Sequence, residues 1–219
     1  MERIMQLEFH LDARAVPRTE RPGGRTARTG AAVLEAARTE FAESGYAGTT
    51  VERIALRAGV AKTTVYRRWG GLEGIVVDLL DALGTVEVPA PDTGDVGTDL
   101  RELAREIFVL YKDPVLCAMI EVMATAAVHT ASARESLTAF FANRARSTAT
   151  VVERAVERGQ FPAGTDPAEV IRLLTAPFYY RLFLTGEPID RSVADRAAAT
   201  AVAAARAEVL VTGAAAAVV

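Results

Sequence analysis

The chain has 219 residues, of which 50% are hydrophobic and 24% charged, so we expect it to fold around a core rather than stay disordered. It has no apolar run near the ~20 residues of a membrane-spanning helix and no apolar signal core at its start, which predicts no membrane partner. A single cysteine, Cys117, excludes an internal disulfide and favours a cytoplasmic location. With only two histidines and no recognisable ligand pair, we expect neither a metal site nor a cofactor.

The net charge of −3 is unevenly distributed. Residues 14–69 carry 11 basic and 5 acidic residues, whereas residues 70–219 carry 13 basic and 20 acidic residues. A basic segment joined to an acidic remainder indicates that one end of the chain contacts a polyanion. Ordinary variation of charge along a chain explains the same numbers equally well.

The N-terminal third is predicted to be a flexible basic arm followed by short helices. Residues 1–27 form the arm, since prolines and glycines interrupt any helical pattern and arginines recur at Arg14, Arg18, Arg21 and Arg25. A first helix then ends at Gly45, and a capping box of Thr49 and Glu52 opens a second one. After a turn at Gly59 come a third helix from Lys62 to Trp69 and a fourth over residues 72–84.

The rest of the chain also has helical periodicity, after a linker at residues 85–97 that is rich in proline, glycine and acids. Asp-Pro pairs at residues 113–114 and 166–167 predict the starts of the sixth and eighth helices, and Asp190 that of the ninth. Ser132 and Glu135 form a capping box for the seventh helix, Gly186 ends the eighth, in which Pro177 introduces a kink, and Gly213 closes the ninth. The predicted fold is therefore all-α, with about nine helices.

The third helix offers a polar face opposite an apolar one. At ~100° per residue, Val65 and Trp69 point inward while Thr63 and Arg67 point outward. Flanking and rim positions hold Thr64, Tyr66, Lys62 and Arg68. Hydroxyls and cations on a face without acids can bond to base edges and phosphates in a DNA major groove. The alternative interpretation is a short surface helix that happens to be basic.

This region resembles the TetR family of bacterial transcriptional regulators over residues 33–80. The residues that carry the resemblance are Phe41, Gly45-Tyr46, Thr49-Thr50, Ile54-Ala55, Ala58-Gly59-Val60, Lys62, Thr64, Tyr66 and Trp69. The resemblance implies a three-helix helix-turn-helix domain at residues 28–71 and a connecting helix at 72–84. It further implies a larger helical domain, placed at 98–213, for ligand binding and dimerisation.

The resemblance also implies roles for single residues. Thr49 and Thr50 would lie near a phosphate, Lys62 and Tyr66 would contact the DNA backbone, and the groove would be faced by Thr63, Thr64 and Arg67. We add Arg68 to this set as a further cation of the same helix. Leu72 stands where the family usually has a phosphate-binding lysine, so that contact is not expected here. The arginines of the arm are interpreted as a solvated tail, with insertion into a minor groove as the alternative.

The C-terminal helices carry large side chains that suit the wall of a pocket for a small apolar or amphipathic ligand. The candidates are Phe108, Tyr111, Met119, Met123, Phe140, Phe141 and Tyr179. Taken singly, each of these residues is as readily explained as core. The alanine-rich last helix, paired with the eighth, is predicted to form a homodimer interface. An ordinary alanine-rich surface helix is the alternative.

Together these features predict a homodimeric transcriptional regulator, a repressor that a small molecule releases from a near-palindromic site in double-stranded DNA. Because no glycine-rich phosphate loop, Ser/His/Asp set or metal cluster is present, we do not expect an enzyme. Two alternatives remain open. One is a helical small-molecule carrier or enzyme without DNA binding, and the other is a regulator without a small ligand.

Overall fold

The computed structural model describes residues 25–84 and 90–212. Within these ranges the secondary structure is helical apart from one isolated bridge between Thr165 and Val211, which confirms the all-α prediction. The helices are α1 (Arg25–Gly48), α2 (Val51–Arg57), α3 (Lys62–Trp69), α4 (Leu72–Gly84), α5 (Val96–Leu110), α6 (Pro114–His129), α7 (Ala131–Glu157), α8 (Pro167–Tyr179) and α9 (Arg191–Arg206). A π-helical segment, Tyr180–Thr185, continues α8. Arg14, Arg18 and Arg21 of the arm, residues 85–89 of the linker and Gly213 lie outside the described residues.

The local signals for three helix starts are confirmed. The carboxylates of Asp113, Asp166 and Asp190 each accept a hydrogen bond from a backbone N–H of the first turn that follows, at 2.8, 2.8 and 3.0 Å. Each bond satisfies a donor that the helix itself leaves unpaired. Glycines with positive φ stand at the two predicted breaks, Gly45 (61°) inside α1 and Gly59 (66°) after α2. A residue with a Cβ rarely adopts this backbone region.

Three predicted helix starts shift by a few residues. Helix α1 begins at Arg25, so residues 25–27, assigned to the arm, are helical. The N-cap of α2 is Thr50 rather than Thr49, because the Thr50 hydroxyl accepts the Arg53 N–H while Thr49 turns back to α1. Helix α7 begins at Ala131, which places Ser132 inside the helix instead of at its cap.

The end of α9 is the largest correction. The helix stops at Arg206 and not at Gly213, and Glu208 takes a positive φ of 62°. The following residues bond instead to the turn before α8: the Asp166 N–H donates to Leu210 O at 2.8 Å and the Thr212 N–H to Gly164 O at 2.9 Å. These long-range bonds satisfy backbone groups that a continued helix would have paired internally.

The helices form two compact units. The N-terminal unit comprises the described residues up to 84 together with residues 113–140, and in it α1 packs on α2, α4 and α6. The sequence grouped α6 with the C-terminal helices, but its buried Met119 and Met123 lie in this unit. The fully buried core of the unit includes Val33, Phe41, Ile54, Val65, Ile75 and Leu79.

The C-terminal unit comprises the described residues from 90 to 112 and from 141 to 212. Here α9 packs on α5 and α8, and its buried alanines, such as Ala198 and Ala201, permit close approach. A bidentate ion pair joins α5 to α9, with Arg105 Nε and Nη2 donating to the two Asp195 oxygens at 2.7 and 2.9 Å. This geometry is the strong form of an arginine–carboxylate pair. None of the helices in the described ranges is long and apolar enough to span a membrane.

Candidate functional site

Helix α3 has the two faces that its sequence predicts. Val65 is fully buried and Trp69 is 8% exposed, so both belong to the core of the N-terminal unit. The opposite side presents Lys62, Thr63, Thr64, Tyr66 and Arg67, which we call the reading face. All of these side chains are exposed except that of Thr64, which is half-buried. Among the described residues no hydrogen bond or ion pair engages the side chains of Lys62, Thr63 or Arg67, so their donors are available to a ligand.

The two neighbouring threonines at the start of α2 differ in exposure and in hydrogen bonding. Thr49 is buried, and its hydroxyl donates to Gly45 O at 2.7 Å. Thr50 is exposed, and its hydroxyl accepts the Arg53 N–H at 3.3 Å. A hydroxyl that accepts keeps its own proton for another acceptor, such as a phosphate oxygen. Of the two predicted phosphate contacts, Thr50 is therefore the one whose side chain can donate.

A buried acid holds α2 on α1. Glu40 is 3% exposed, and its two oxygens accept from Nε of Arg53 at 2.6 Å and Nε of Arg57 at 2.7 Å. The hydrogen bond from Arg57 holds the pKa of Glu40 below its usual range. Arg57 also pairs with Glu43. Because α2 leads through a short turn into α3, this network of ion pairs helps to position α3 and its reading face.

Arg68 occupies a different place from the rest of the predicted DNA-binding set. Its guanidinium lies over the Trp69 ring, 4.7 Å from the ring centroid, and Nη1 donates to Thr26 O at 3.2 Å. The same guanidinium covers Gly30, where a Cβ would lie 2.8 Å from Nη1. Arg68 thus fastens α3 to the beginning of α1, and its role in DNA binding stays a prediction.

Tyr66 is the member of the reading face with an acidic neighbour. It is 45% exposed, and its hydroxyl donates to Glu52 Oε1 of α2 at 3.4 Å. The charge of Glu52 raises the pKa of Tyr66 above its usual value. The phenol therefore remains protonated and can serve as a hydrogen-bond donor.

The junction of α3 and α4 contains a bond and a cleft that the sequence did not suggest. The Trp69 indole Nε1–H donates to Asp78 Oδ2 of α4 at 2.8 Å. Beside it opens a cleft of about 610 Å³, lined also by Glu73 and by Thr130 and Ser136 of the α6–α7 corner. Its walls come from segments more than 50 residues apart, so no local pattern predicts it.

Several of the predicted pocket residues meet in the C-terminal unit. The Tyr111 hydroxyl donates to the Tyr179 hydroxyl at 2.6 Å, and the two rings meet edge to face with centroids 5.5 Å apart. Three phenylalanine rings contact this pair, with Phe141 5.1 Å and Phe183 6.5 Å from Tyr179, and Phe178 6.2 Å from Tyr111. We call these five rings the tyrosine cluster.

The other pocket candidates lie apart from that cluster or at its margin. Met119 and Met123 are 1% and 0% exposed within the N-terminal unit, where α6 packs on α1 and α4. Phe140 is half-buried in the same unit. Phe108 is buried in the C-terminal unit, with the Lys112 ammonium 4.5 Å from its ring centroid. Whether these residues line a ligand pocket stays a prediction.

The single cysteine and the possible metal ligands show no sign of reactivity or metal binding in the described ranges. Cys117 is half-buried, and burial raises the pKa of its thiol to about 11, which keeps the unreactive protonated form at neutral pH. In the described ranges no group of three or more His, Cys, Asp or Glu side chains is placed to hold a metal ion.

Comparison with known proteins gives matches to both the N-terminal and the C-terminal helices. A family model described as "Bacterial regulatory proteins, tetR family" matches residues 33–79, and one described as "Tetracyclin repressor-like, C-terminal domain" matches residues 90–201. The HTH-type transcriptional regulator YdeS of Bacillus subtilis (strain 168), itself uncharacterized, is 30% identical over 165 residues, which cover 74% of this chain and 81% of that protein.

Two further similar proteins support the same family. The HTH-type transcriptional regulator AqdR of Rhodococcus erythropolis is 30% identical over 176 residues, covering 79% of this chain and 83% of AqdR. The solved SmeT–triclosan complex is 26% identical with a TM-score of 0.57, and the match covers 80% of this chain and 90% of SmeT. Since the C-terminal match alone spans about half of the chain and the N-terminal match includes the reading face, this chain belongs to the TetR family of bacterial helix-turn-helix transcriptional regulators.

Proposed function

We propose that the protein is a cytoplasmic, homodimeric repressor that binds a near-palindromic site in double-stranded DNA and leaves it when a small molecule binds the C-terminal helices. The observation that carries this proposal is the reading face, with exposed Thr63 and Arg67 opposite buried Val65 and Trp69. Such a helix can enter a major groove without disturbing the core that positions it.

In this proposal the contacts to DNA fall into two groups. Lys62, Tyr66 and the Thr50 hydroxyl bind phosphates, because each of the three side chains is exposed and carries a hydrogen-bond donor. Thr63, Thr64 and Arg67 face the base edges. Thr49 supports the site through its bond to Gly45, and Arg68 supports it through α1.

The dimer is proposed to form through α8 and α9. On α9, alanines at Ala199 and Ala203 are exposed while their neighbours Ala198 and Ala201 pack inside the C-terminal unit. Small exposed side chains let a second helix pair approach closely, as in a two-fold four-helix interface. Two reading faces related by that axis would match the symmetry of a palindrome.

The ligand is proposed to bind at the tyrosine cluster and to act by preferring one arrangement of the dimer over another. A ligand can shift such an equilibrium only by its difference in affinity for the two arrangements. The SmeT structure, which contains triclosan, supports the proposal that this protein binds a small molecule. We propose that the protein acts by binding and carries out no catalysis.

A gel-shift titration on DNA that flanks the protein's own gene tests the proposal. The double variant Lys62→Ala with Arg67→Ala should bind this DNA about 30-fold more weakly, since one phosphate and one base contact are removed. The slope of log affinity against log salt should also fall by about 1. Thermal unfolding should be nearly unchanged, because both side chains are exposed.

The matched control removes two exposed arginines elsewhere, Arg101→Ala with Arg146→Ala, and makes the same change in net charge. It should bind DNA as the wild type does. Equal affinity of wild type and the Lys62/Arg67 variant would refute the assignment of α3 as the DNA-reading helix. Failure of the wild type to bind any flanking DNA would favour the carrier alternative instead.

A further inference from the structure

The cleft at the junction of α3 and α4 has one wall with carboxylates and one wall with hydroxyl groups. Glu73 and Asp78 of α4 lie on the first wall. The second wall, at the α6–α7 corner, carries the hydroxyls of Thr130, Ser132 and Ser136. Both walls belong to the N-terminal unit. The cleft volume of about 610 Å³ is within the usual range of small-molecule sites.

The polar groups of both walls are available to a ligand. Within the part of the chain that the structure describes, no hydrogen bond or ion pair engages the side chain of Glu73 or the three hydroxyls. Asp78 accepts the Trp69 indole N–H with Oδ2, and its other oxygen has no partner among the described residues. A hydroxyl can both donate and accept, whereas an ionised carboxylate only accepts. A bound molecule therefore finds acceptors on one wall and mixed groups on the other.

The charges at the cleft favour a cation. Two carboxylates and one guanidinium, that of Arg68, line it, which leaves one negative charge in excess. Arg68 is itself engaged by the Trp69 ring and by Thr26 O. One turn further along α4, desolvation and then the charge of Asp78 raise the pKa of Asp81 above its usual value. Negative charge therefore accumulates on this side of the helix, and a positive ligand is attracted to it.

We propose that this cleft binds a hydroxylated primary amine, whose ammonium group pairs with Glu73 and Asp78 and whose hydroxyls bond to the α6–α7 corner. An ammonium group has three N–H donors, and its bonds to carboxylates are charge-assisted and therefore strong. The hydroxyls of the ligand replace the water that the hydroxyls of the second wall would lose. The site is separate from the tyrosine cluster, and the proposal depends neither on that cluster nor on DNA binding.

Other classes of molecule match the two walls less closely. A quaternary ammonium has no N–H to donate to the carboxylates, and an apolar amine would leave the hydroxyls of the second wall without partners. A sugar acid would place its own carboxylate against Glu73 and Asp78. Val77 and Ala133, which also line the cleft, offer apolar contact to a compact carbon skeleton. A sugar-like ring that carries an amine combines all of these features.

Two matched pairs of probes test the proposal: D-glucosamine against D-glucose, and chitobiose against cellobiose, at a slightly acidic pH that keeps the sugar amines protonated. Within each pair an amine replaces one hydroxyl on each ring. Trp69 is the only tryptophan of the chain and lines the cleft, so its fluorescence reports binding there. With the full-length wild type, the amines should shift this emission and should bind at least about tenfold more tightly than the neutral sugars in calorimetry.

Three results with the wild type would overturn the proposal. The first is no binding of either amine, or equal affinity within each pair. The second is amine binding in calorimetry that leaves the Trp69 emission unchanged, because the amine would then bind elsewhere. The third is tighter binding of D-glucuronate, the acid with the same ring, than of D-glucosamine.

Variants of α4 locate the charges. Glu73→Gln combined with Asp78→Asn keeps the size of both side chains, and the amide oxygen at position 78 can still accept the Trp69 indole N–H. This double variant should bind glucosamine and glucose with equal affinity. The matched control, Glu121→Gln with Glu135→Gln, removes two exposed acids of the same unit that do not line the cleft, and it should keep the wild-type preference.

Glu73→Gln alone keeps the test decisive if the double variant does not fold, since Glu73 is exposed. It should lower the preference for glucosamine about threefold, as expected for one exposed ion pair. An unchanged preference in the folded double variant, or in Glu73→Gln if only that variant folds, would overturn the proposal. Gel shifts keep this result separate from the proposed function: a wild type that binds DNA but no amine refutes only the amine site, and one that binds amines but no DNA refutes only the regulator.

Discussion

The reading face and the tyrosine cluster are built in opposite ways. Side chains of the reading face come from within six consecutive residues, 62–67. Among the described residues no hydrogen bond or ion pair engages the side chains of Lys62, Thr63 or Arg67. The rings of the tyrosine cluster come from the residue that caps α5, from α7 and α8 and from the π-helical segment, and they contact one another. The reading face therefore has hydrogen-bond donors available for a partner. A ligand of the tyrosine cluster would have to displace contacts between rings that already exist.

This difference has a consequence for mutations. A change on the reading face should alter binding and leave stability nearly constant, because little is lost inside the protein. A change in the tyrosine cluster should alter stability first, because its rings are buried or half-buried and in contact with one another. Four substitutions test this separation of binding from stability.

Phe178→Ala should be the most destabilising of these changes. The ring is fully buried and stacks near Tyr111, so its removal leaves a cavity and should lower the free energy of unfolding by about 4 kcal/mol. Denaturant titration at a fixed protein concentration measures this. Tyr180→Ala, two residues away and 57% exposed, is the control and should cost well under about 1 kcal/mol. Similar losses for both variants would contradict a packed cluster.

Thr63→Glu should give the largest effect on binding without a loss of fold. It places a negative charge on the reading face, whose proposed partner, DNA, is a polyanion, and should weaken DNA binding at least 100-fold, or about 2.7 kcal/mol. The melting temperature should stay close to that of the wild type, since Thr63 is exposed. Thr150→Glu, at an exposed position of α7, should leave DNA affinity unchanged. A gel shift with no difference between the two variants would remove α3 from the interface.

Glu40→Gln should affect both properties, since Glu40 anchors the helix before the reading face. Losing two charge-assisted bonds should cost about 2 kcal/mol of stability near neutral pH. The pKa of Glu40 is lowered in the folded state, so its contribution is present above the unfolded pKa of about 4.3 and is lost as the pH falls through the folded pKa.

The stability difference between wild type and Glu40→Gln should therefore shrink on acidification below about pH 4. Denaturant titrations at several pH values would measure it. Glu35→Gln, at an exposed position on the same helix, is the control, with a small difference at every pH. A constant difference between wild type and Glu40→Gln over this range would mean that the charge of Glu40 plays no part.

Tyr111→Phe should produce the smallest change. It removes the hydroxyl that donates to Tyr179 but keeps the ring, so stability should fall by about 1 kcal/mol. DNA affinity of the ligand-free protein should not change. Tyr180→Phe removes an exposed hydroxyl and should have no measurable effect. Altered DNA binding by Tyr111→Phe would show that the two regions are not separable in the way described above.

Sequence patterns predicted the features that depend on neighbours in the chain. The inward Val65–Trp69 seam and the outward Thr63 and Arg67 follow from helical geometry alone. The aspartate caps at Asp113, Asp166 and Asp190 were also predictable, because each bond closes within three residues. The Thr49–Glu52 box was wrong by one residue, since two adjacent threonines can each serve as a cap and only the contact with Gly45 distinguishes them.

Features that join distant segments were not predictable in this way. A contact of Arg68 with Thr26, the pairing of Glu40 with Arg53 and Arg57, and the bond from Trp69 to Asp78 each need the helices already in place. The early end of α9 belongs to the same class, because the turn at Gly164 competes for its last backbone groups.

Local sequence patterns were enough to predict that the described parts of the chain are helical, where most helices begin, and which side of α3 is exposed. Only the tertiary structure shows which charged side chains bond within the protein, as Arg68 and Glu40 do, and which rings meet around Tyr179. The physical reason is range: helix periodicity and capping act over three or four residues, whereas burial and pairing of side chains depend on what packing brings together from far along the chain.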